Sequence, residues 1–257
     1  MINIGQYNKL KVKKKVDFGY YLEDKFGDEV LLPNSNAKGS KVEVGENLEV
    51  FVYRDSKDRL ISTLKKPLLT VGDIAYLEVV SQSEIGAFVN IGLERDLFIP
   101  LKEQSFKLKT GKKYLFYMYV DKTDRLAGTT KIHEYLDIAE EGKYKVNDEV
   151  KVIVYDTAEN GTLKIAVDRE YIGLILPNEH IEYIYPGEEI TARIKRVYED
   201  GILGVTTRKK RLDAREELSE AILNYLRENG GYMPYNDKKL KRNLIQVKIT
   251  LKWLLAD

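Results

Sequence analysis

The side chains of this chain that can do chemistry are its rings and its amines. It carries 18 tyrosines, 7 phenylalanines and one tryptophan, against two histidines and no cysteine. Flat rings flanked by Lys and Arg are what a protein needs to stack unpaired bases and to meet the phosphates between them. Phe18 and Tyr21 follow a basic run holding Lys9, Lys11, Lys13, Lys14 and Lys15, and Phe88 and Phe98 bracket Arg95. The same residue types also build cores, and on a strand alternation sends one neighbour inward and the next outward. Tyr53, Tyr117 and Tyr119 fit the packing role; Tyr21 and Phe88 fit either.

Acid–base and nucleophilic chemistry find no foothold. His133 and His180 lie far apart, and no HExxH, nucleophile elbow or P-loop lysine occurs. The Asp55/Asp58 and Asp121/Asp124 pairs have the spacing of a metal site, yet they recur at one turn position, which turn chemistry explains. The expectation is a non-enzyme with no metal and no cofactor. A formal net charge of +1 gives no global field for a polyanion, although residues 208–257 carry twelve Lys/Arg against seven Asp/Glu. The missing cysteines fit a reducing compartment, and neither an apolar leader in MINIGQYNKLKVKKK nor an apolar run near 18 residues is present. A soluble cytoplasmic protein with no membrane partner is expected.

Short strands must position these rings, and they come in repeats. Gly45 to Leu60 and Gly111 to Leu126 each run 15 residues from an entry glycine through an alternating strand to an Asp-Arg-Leu triplet. Gly187 to Leu203 follows the same grammar. Upstream, Phe18-Gly19-Tyr20-Tyr21-Leu22 matches Ile85-Gly86-Ala87-Phe88-Val89, with Ser81 to Glu84 as a hairpin link before the latter. A proline-ended strand recurs at Pro33, Pro100 and Pro177. Each unit therefore shows about five strands over about 65 residues, the size of a closed five-stranded Greek-key barrel of the OB type. The predicted class is mainly β: barrels over 1–64, 67–139 and 143–208, joined at Lys65-Lys66-Pro67 and Glu140-Glu141-Gly142, then a different tail over 212–257.

Gly86-Ala87-Phe88-Val89 after a polar hairpin, followed by Leu93 through Pro100, resembles the S-one RNA-binding module of the largest small-subunit ribosomal protein. Three such modules before Glu220–Leu226 and Tyr235–Lys238 resemble the conserved virulence factor B family, whose members join three S-one barrels to a winged helix. The resemblance implies binding of single-stranded RNA by a bacterial post-transcriptional regulator. It implies an RNA-binding surface of Phe18, Tyr21, Phe88 and Phe98 with Lys11, Lys13, Lys15 and Arg95. In the module two rings flank a glycine as F-G-x-F; Phe18 and Tyr21 match, whereas Ile85 replaces the first ring before Phe88. The histidine usual on the third strand gives way to apolar residues near Leu32, Ile99 and Leu176. The third module lacks a ring pair, with Tyr171 close by.

Asp213 as an N-cap, a stripe through Leu218, Ala221, Ile222, Tyr225 and Leu226, and Gly230-Gly231 predict one helix in the tail. Residues 239–257 fit a helical stripe and a strand alternation equally, so the winged helix is expected to be partial, with a protein partner among its roles. Two functional readings follow from the whole: an RNA-binding regulator, or an interaction scaffold of barrels that have lost their nucleic-acid faces.

Overall fold

The computed structural model describes residues 1–37, 39, 41–208, 223–224, 226–227 and 230. Residues 1–207 form one compact unit. The tail beyond it contributes helical residues 223, 224, 226 and 227, and the winged-helix and partner expectations for 212–257 lie outside the described residues.

Three closed five-stranded barrels make up the compact unit. The first is built from β1 (Tyr7–Val16), β2 (Gly19–Glu23), β3 (Glu29–Pro33), β4 (Asn47–Arg54) and β5 (Leu60–Thr63), in the order β1-β2-β3-β5-β4. The second uses β6 (Ile74–Ser83), β7 (Gly86–Val89), β8 (Leu97–Pro100), β9 (Lys113–Val120) and β10 (Leu126–Thr129) in the same order. The third uses β11 (Glu149–Thr157), β12 (Leu163–Val167), β13 (Tyr171–Ile175), β14 (Glu189–Val197) and β15 (Leu203–Thr206). In each, the third and fifth strands pair in parallel and the remaining neighbours run antiparallel, the OB arrangement, which leaves no free sheet edge.

Alternation explains the cores. Leu10 and Val12 point into the first barrel while Lys9, Lys11 and Lys13 stay outside. Val12, Val79 and Val154 occupy the same inward position of the three first strands, paired with Leu22, Val89 and Ile165, and all six are fully buried. A register shift follows each of the three valines, at Val12/Lys14, Val79/Ser81 and Val154/Asp156. One extra residue there coils the strand around its barrel and reverses the parity of everything after it. The link expected over Ser81–Glu84 is correspondingly shorter, because Ser81–Ser83 pair with Phe88, Ala87 and Gly86 and extend β6.

The barrels are packed on one another. Between the first two, Phe51, Tyr53 and Ile61 bury against Leu93 and Leu126. Between the second and third, Leu115, Ile132, Leu136, Ile153, Tyr155 and Ala166 form a separate apolar cluster. Gly187 sits in that second joint at φ +89, where a Cβ would lie 2.5 Å from the Lys113 carbonyl oxygen and from the Tyr114 ring. Only glycine fits that approach.

Candidate nucleic-acid interface

The parity change sets which side chains share the outer face. Across the first three strands of each barrel the pairing makes one outward row: Lys14–Tyr21–Leu31, then Ser81–Phe88–Phe98, then Asp156–Lys164–Leu174. In the first barrel the Lys14 ammonium lies 4.7 Å from the Tyr21 ring centroid, and Phe18 stands edge-on to Tyr21 at 6.5 Å. Phe18 is 58% exposed and Tyr21 half-buried, so the two rings meet solvent on one side and the barrel on the other.

In the second barrel Phe88 and Phe98 lie directly opposite on β7 and β8, their centroids 5.3 Å apart and their planes tilted by 40°. Gly86 makes room for this pair: a Cβ there would be 2.7 Å from the Phe98 ring and would strike the Ile99 carbonyl oxygen. Both rings line a groove of about 600 Å³ at the edge of the second barrel, together with Arg54, Arg95, Lys102 and Arg125. Glu94, Asp96 and Asp121 share its rim. Arg95 donates to the Asp55 carbonyl at 2.7 Å, Arg125 pairs with Asp58 at 2.9 Å, and Arg54 reaches Asp124 at 3.4 Å. The two Asp-Arg-Leu turns of the first and second barrels thus clasp each other and hold the guanidinium groups at the groove.

The site residues expected from sequence fall in different places. Phe18 and Tyr21 come together, as do Phe88, Phe98 and Arg95. Lys13 is the bulged residue; its ammonium bridges Glu23 and Glu29 at 2.8 Å each, and those hydrogen bonds hold it well above the usual lysine range. Lys15 lies 5.8 Å from the ring of Tyr20, which belongs to the core, and Lys11 sits opposite Glu23, ahead of the bulge on β1. Lys14, outside the set that the resemblance implies, is the amine beside Tyr21. Three successive lysines after Val12 were the available sign, since an unbroken alternation would have put one of them in the core.

The third-strand positions expected near Leu32, Ile99 and Leu176 fall at Leu31, Phe98 and Leu174, which face outward, while Leu32 and Ile99 are fully buried. Tyr171 packs in the third core, and the position matching Tyr21 and Phe88 is Lys164, ion-paired to Asp156 at 2.9 Å. Asp55 and Asp121 cap their own turns by accepting backbone N–H groups two and four residues on, with Asp58 and Asp124 at φ 64 and 56. Among the described residues no group of three or more His, Asp or Glu is placed to hold a metal ion, and no helix is long and apolar enough to cross a membrane.

Comparison with known proteins agrees with this architecture. The S1 domain family matches residues 4–65 and 71–131. The uncharacterized protein YitL of Bacillus subtilis is 30% identical over 243 residues, covering 91% of this chain and 80% of that protein. Conserved virulence factor B of Staphylococcus haemolyticus is 24% identical over 228 residues, covering 85% and 76%. A crystal structure of a multidomain protein with nucleic acid binding domains from Streptococcus pneumoniae shares the fold, with a TM-score of 0.56 at 22% identity over 91% of this chain and 84% of that one. The chain belongs to the family of YitL and conserved virulence factor B, built from tandem S1 modules.

Proposed function

We propose that this chain is a non-catalytic, cytoplasmic RNA-binding protein that holds single-stranded RNA on the outer faces of its barrels and acts after transcription as a bacterial regulator. The binding modules are taken as 1–64, 67–139 and 143–208. The observation that carries the reading is the Phe88–Phe98 pair beside a groove lined by Arg54, Arg95, Lys102 and Arg125. Half-exposed rings on a convex barrel reach only bases that have left a helix, so the ligand is an unpaired strand and not a duplex. Each stacked base is worth about 1–3 kcal/mol without sequence readout, and the cations follow the backbone. Phe18 and Tyr21 with Lys14 offer a second ring site in the same compact unit. Two weak sites on one strand multiply through effective concentration. The name of the pneumococcal structure, which speaks of nucleic acid binding domains, supports the same class of ligand.

The test is fluorescence anisotropy of the full chain with a labelled, unstructured RNA. Tyr21→Ala combined with Phe88→Ala is expected to weaken binding about tenfold or more, the loss of one to two stacked bases. With about three phosphates neutralised, log K should fall against log salt with a slope near −2, and an equal RNA duplex should compete poorly. Absence of saturable binding at low salt would leave the scaffold reading in its place.

A further inference from the structure

The loop before the fourth strand has the same build in all three barrels. Three residues ahead of its entry glycine, Val42, Leu108 and Ile184 are buried in their cores. Each loop then closes with the same turn, in which Glu46, Lys112 and Glu188 donate their N–H to the carbonyls of Glu43, Lys109 and Tyr185. The residues on either side of the buried one are exposed in every case: Lys41 and Glu43, Lys107 and Lys109, Tyr183 and Tyr185. Two barrels fold with charged residues at these positions, so nothing in the fold asks for tyrosine in the third.

Yet Tyr183 and Tyr185 stand 71% and 57% exposed, edge-to-face with centroids 4.5 Å apart. Uncovered neighbouring rings are unfavourable in water unless something covers them in use. Their surroundings indicate what. Gly187, two residues beyond Tyr185 and so within about 7 Å of chain, rests on the Lys113 backbone, and its carbonyl accepts a hydrogen bond from Tyr76 Oη at 2.6 Å. The second barrel's own loop turn, Lys109–Lys112, ends at that point. Lys107, Lys109, Lys112 and Lys113 are all exposed, and among the described residues none has a carboxylate partner. Of the acids beside the rings, Glu189 is held by Arg169 at 2.8 Å.

We propose that Tyr183 and Tyr185 of the third barrel and Lys109, Lys112 and Lys113 of the second form a further single-strand nucleic-acid site at the joint between these barrels. The rings take unpaired bases and the amines take the phosphates beside them. The site lies on a loop and replaces the sheet-face rings that the third barrel lacks. It rests on the RNA-binding reading above and extends it to a surface which that reading does not use.

The test measures anisotropy of one labelled, unstructured RNA of about 20 nucleotides, long enough to reach more than one barrel, on four full-length proteins. These are the wild type, Tyr21→Ala/Phe88→Ala, Tyr183→Ala/Tyr185→Ala and Lys109→Ala/Lys112→Ala. The tyrosine double variant should keep the wild-type thermal midpoint and lose about tenfold in affinity. The lysine double variant should flatten the salt slope by about 1.4, and Tyr183→Phe/Tyr185→Phe should bind as wild type. If only Tyr21→Ala/Phe88→Ala weakens binding, the joint site is refuted and the RNA reading stands. If the wild type does not bind, both fall.

Discussion

The outward rows of the second and third barrels differ far more than the barrels themselves. Ser81–Phe88–Phe98 presents two rings at a groove; Asp156–Lys164–Leu174, at the same three positions, presents an internal ion pair and a leucine. Directly beneath, the inward residues Val79 and Val89 correspond to Val154 and Ile165, and Ala87 and Ile99 correspond to Leu163 and Ile175. The inward set is what closes a barrel, since burying apolar surface is the main favourable term and aliphatic residues exchange with little loss when volume is kept. The outward set is free of that demand. Its divergence therefore answers to no demand of the fold.

The comparison breaks hardest at Gly86. The third barrel has Thr162 there, with Leu174 in the place of Phe98. Gly86→Thr would copy that residue into a position where even a Cβ meets the Ile99 carbonyl and the Phe98 ring. Overpacking of this kind costs about 1–3 kcal/mol, so the unfolding midpoint should drop and the Phe98 ring should leave its place opposite Phe88. RNA affinity should fall with it. Unchanged denaturation together with unchanged binding would show that the glycine does not hold the ring pair in place.

The reverse exchange sharpens the same point with a smaller effect. Asp156→Ser, Thr162→Gly, Lys164→Phe and Leu174→Phe together write the second barrel's row, with the glycine that makes room for it, onto the third. No core residue is touched, so the variant should fold with a midpoint near wild type. If row composition alone makes a face competent, affinity for unpaired RNA should rise by about tenfold, the worth of one stacked base. An unchanged anisotropy curve would mean that the groove beside Phe88, and not the ring pair, carries the binding.

Much of this architecture was readable beforehand. Glycine-to-Leu spacing, the recurring prolines and period-two alternation fix five strands per unit, because turn chemistry and strand burial act locally. What strict alternation does not show is the bulge within the basic run. A bulge after Val12 is a property of the closed barrel, which must coil its first strand, and it places Lys14 beside the Tyr21 ring. The third-strand positions expected near Leu32 and Ile99 fall one residue earlier, at the outward Leu31 and Phe98. The clasp between Asp-Arg-Leu turns was invisible for another reason: it joins residues from separate barrels, and no spacing within one repeat encodes it. Tyr183 and Tyr185 carry no signal within their own repeat, because their meaning lies in the contrast with Lys107 and Lys109 at matched positions.

The two joints differ as the two faces do, and pH separates them by a modest amount. The second joint adds the hydrogen bond from Tyr76 Oη to the Gly187 carbonyl to its apolar cluster, whereas the first adds the Asp58–Arg125 and Arg54–Asp124 ion pairs to its apolar contact. The hydrogen bond from Arg125 and its charge hold the Asp58 carboxyl below the usual aspartate range. A carboxylate whose pKa is lowered on folding contributes stability above its unfolded value, near 4, and loses that contribution as pH falls through the lower folded value. Wild type should therefore lose slightly more thermal stability than Arg125→Ala between pH 5 and pH 3, since other carboxylates titrate alike in both proteins. The pair is exposed and screened by salt, so the excess should shrink at high ionic strength. Superimposable pH profiles for the two proteins would show that the clasp aligns the barrels without stabilising them, leaving Phe51, Tyr53 and Ile61 against Leu93 and Leu126 to hold the first joint.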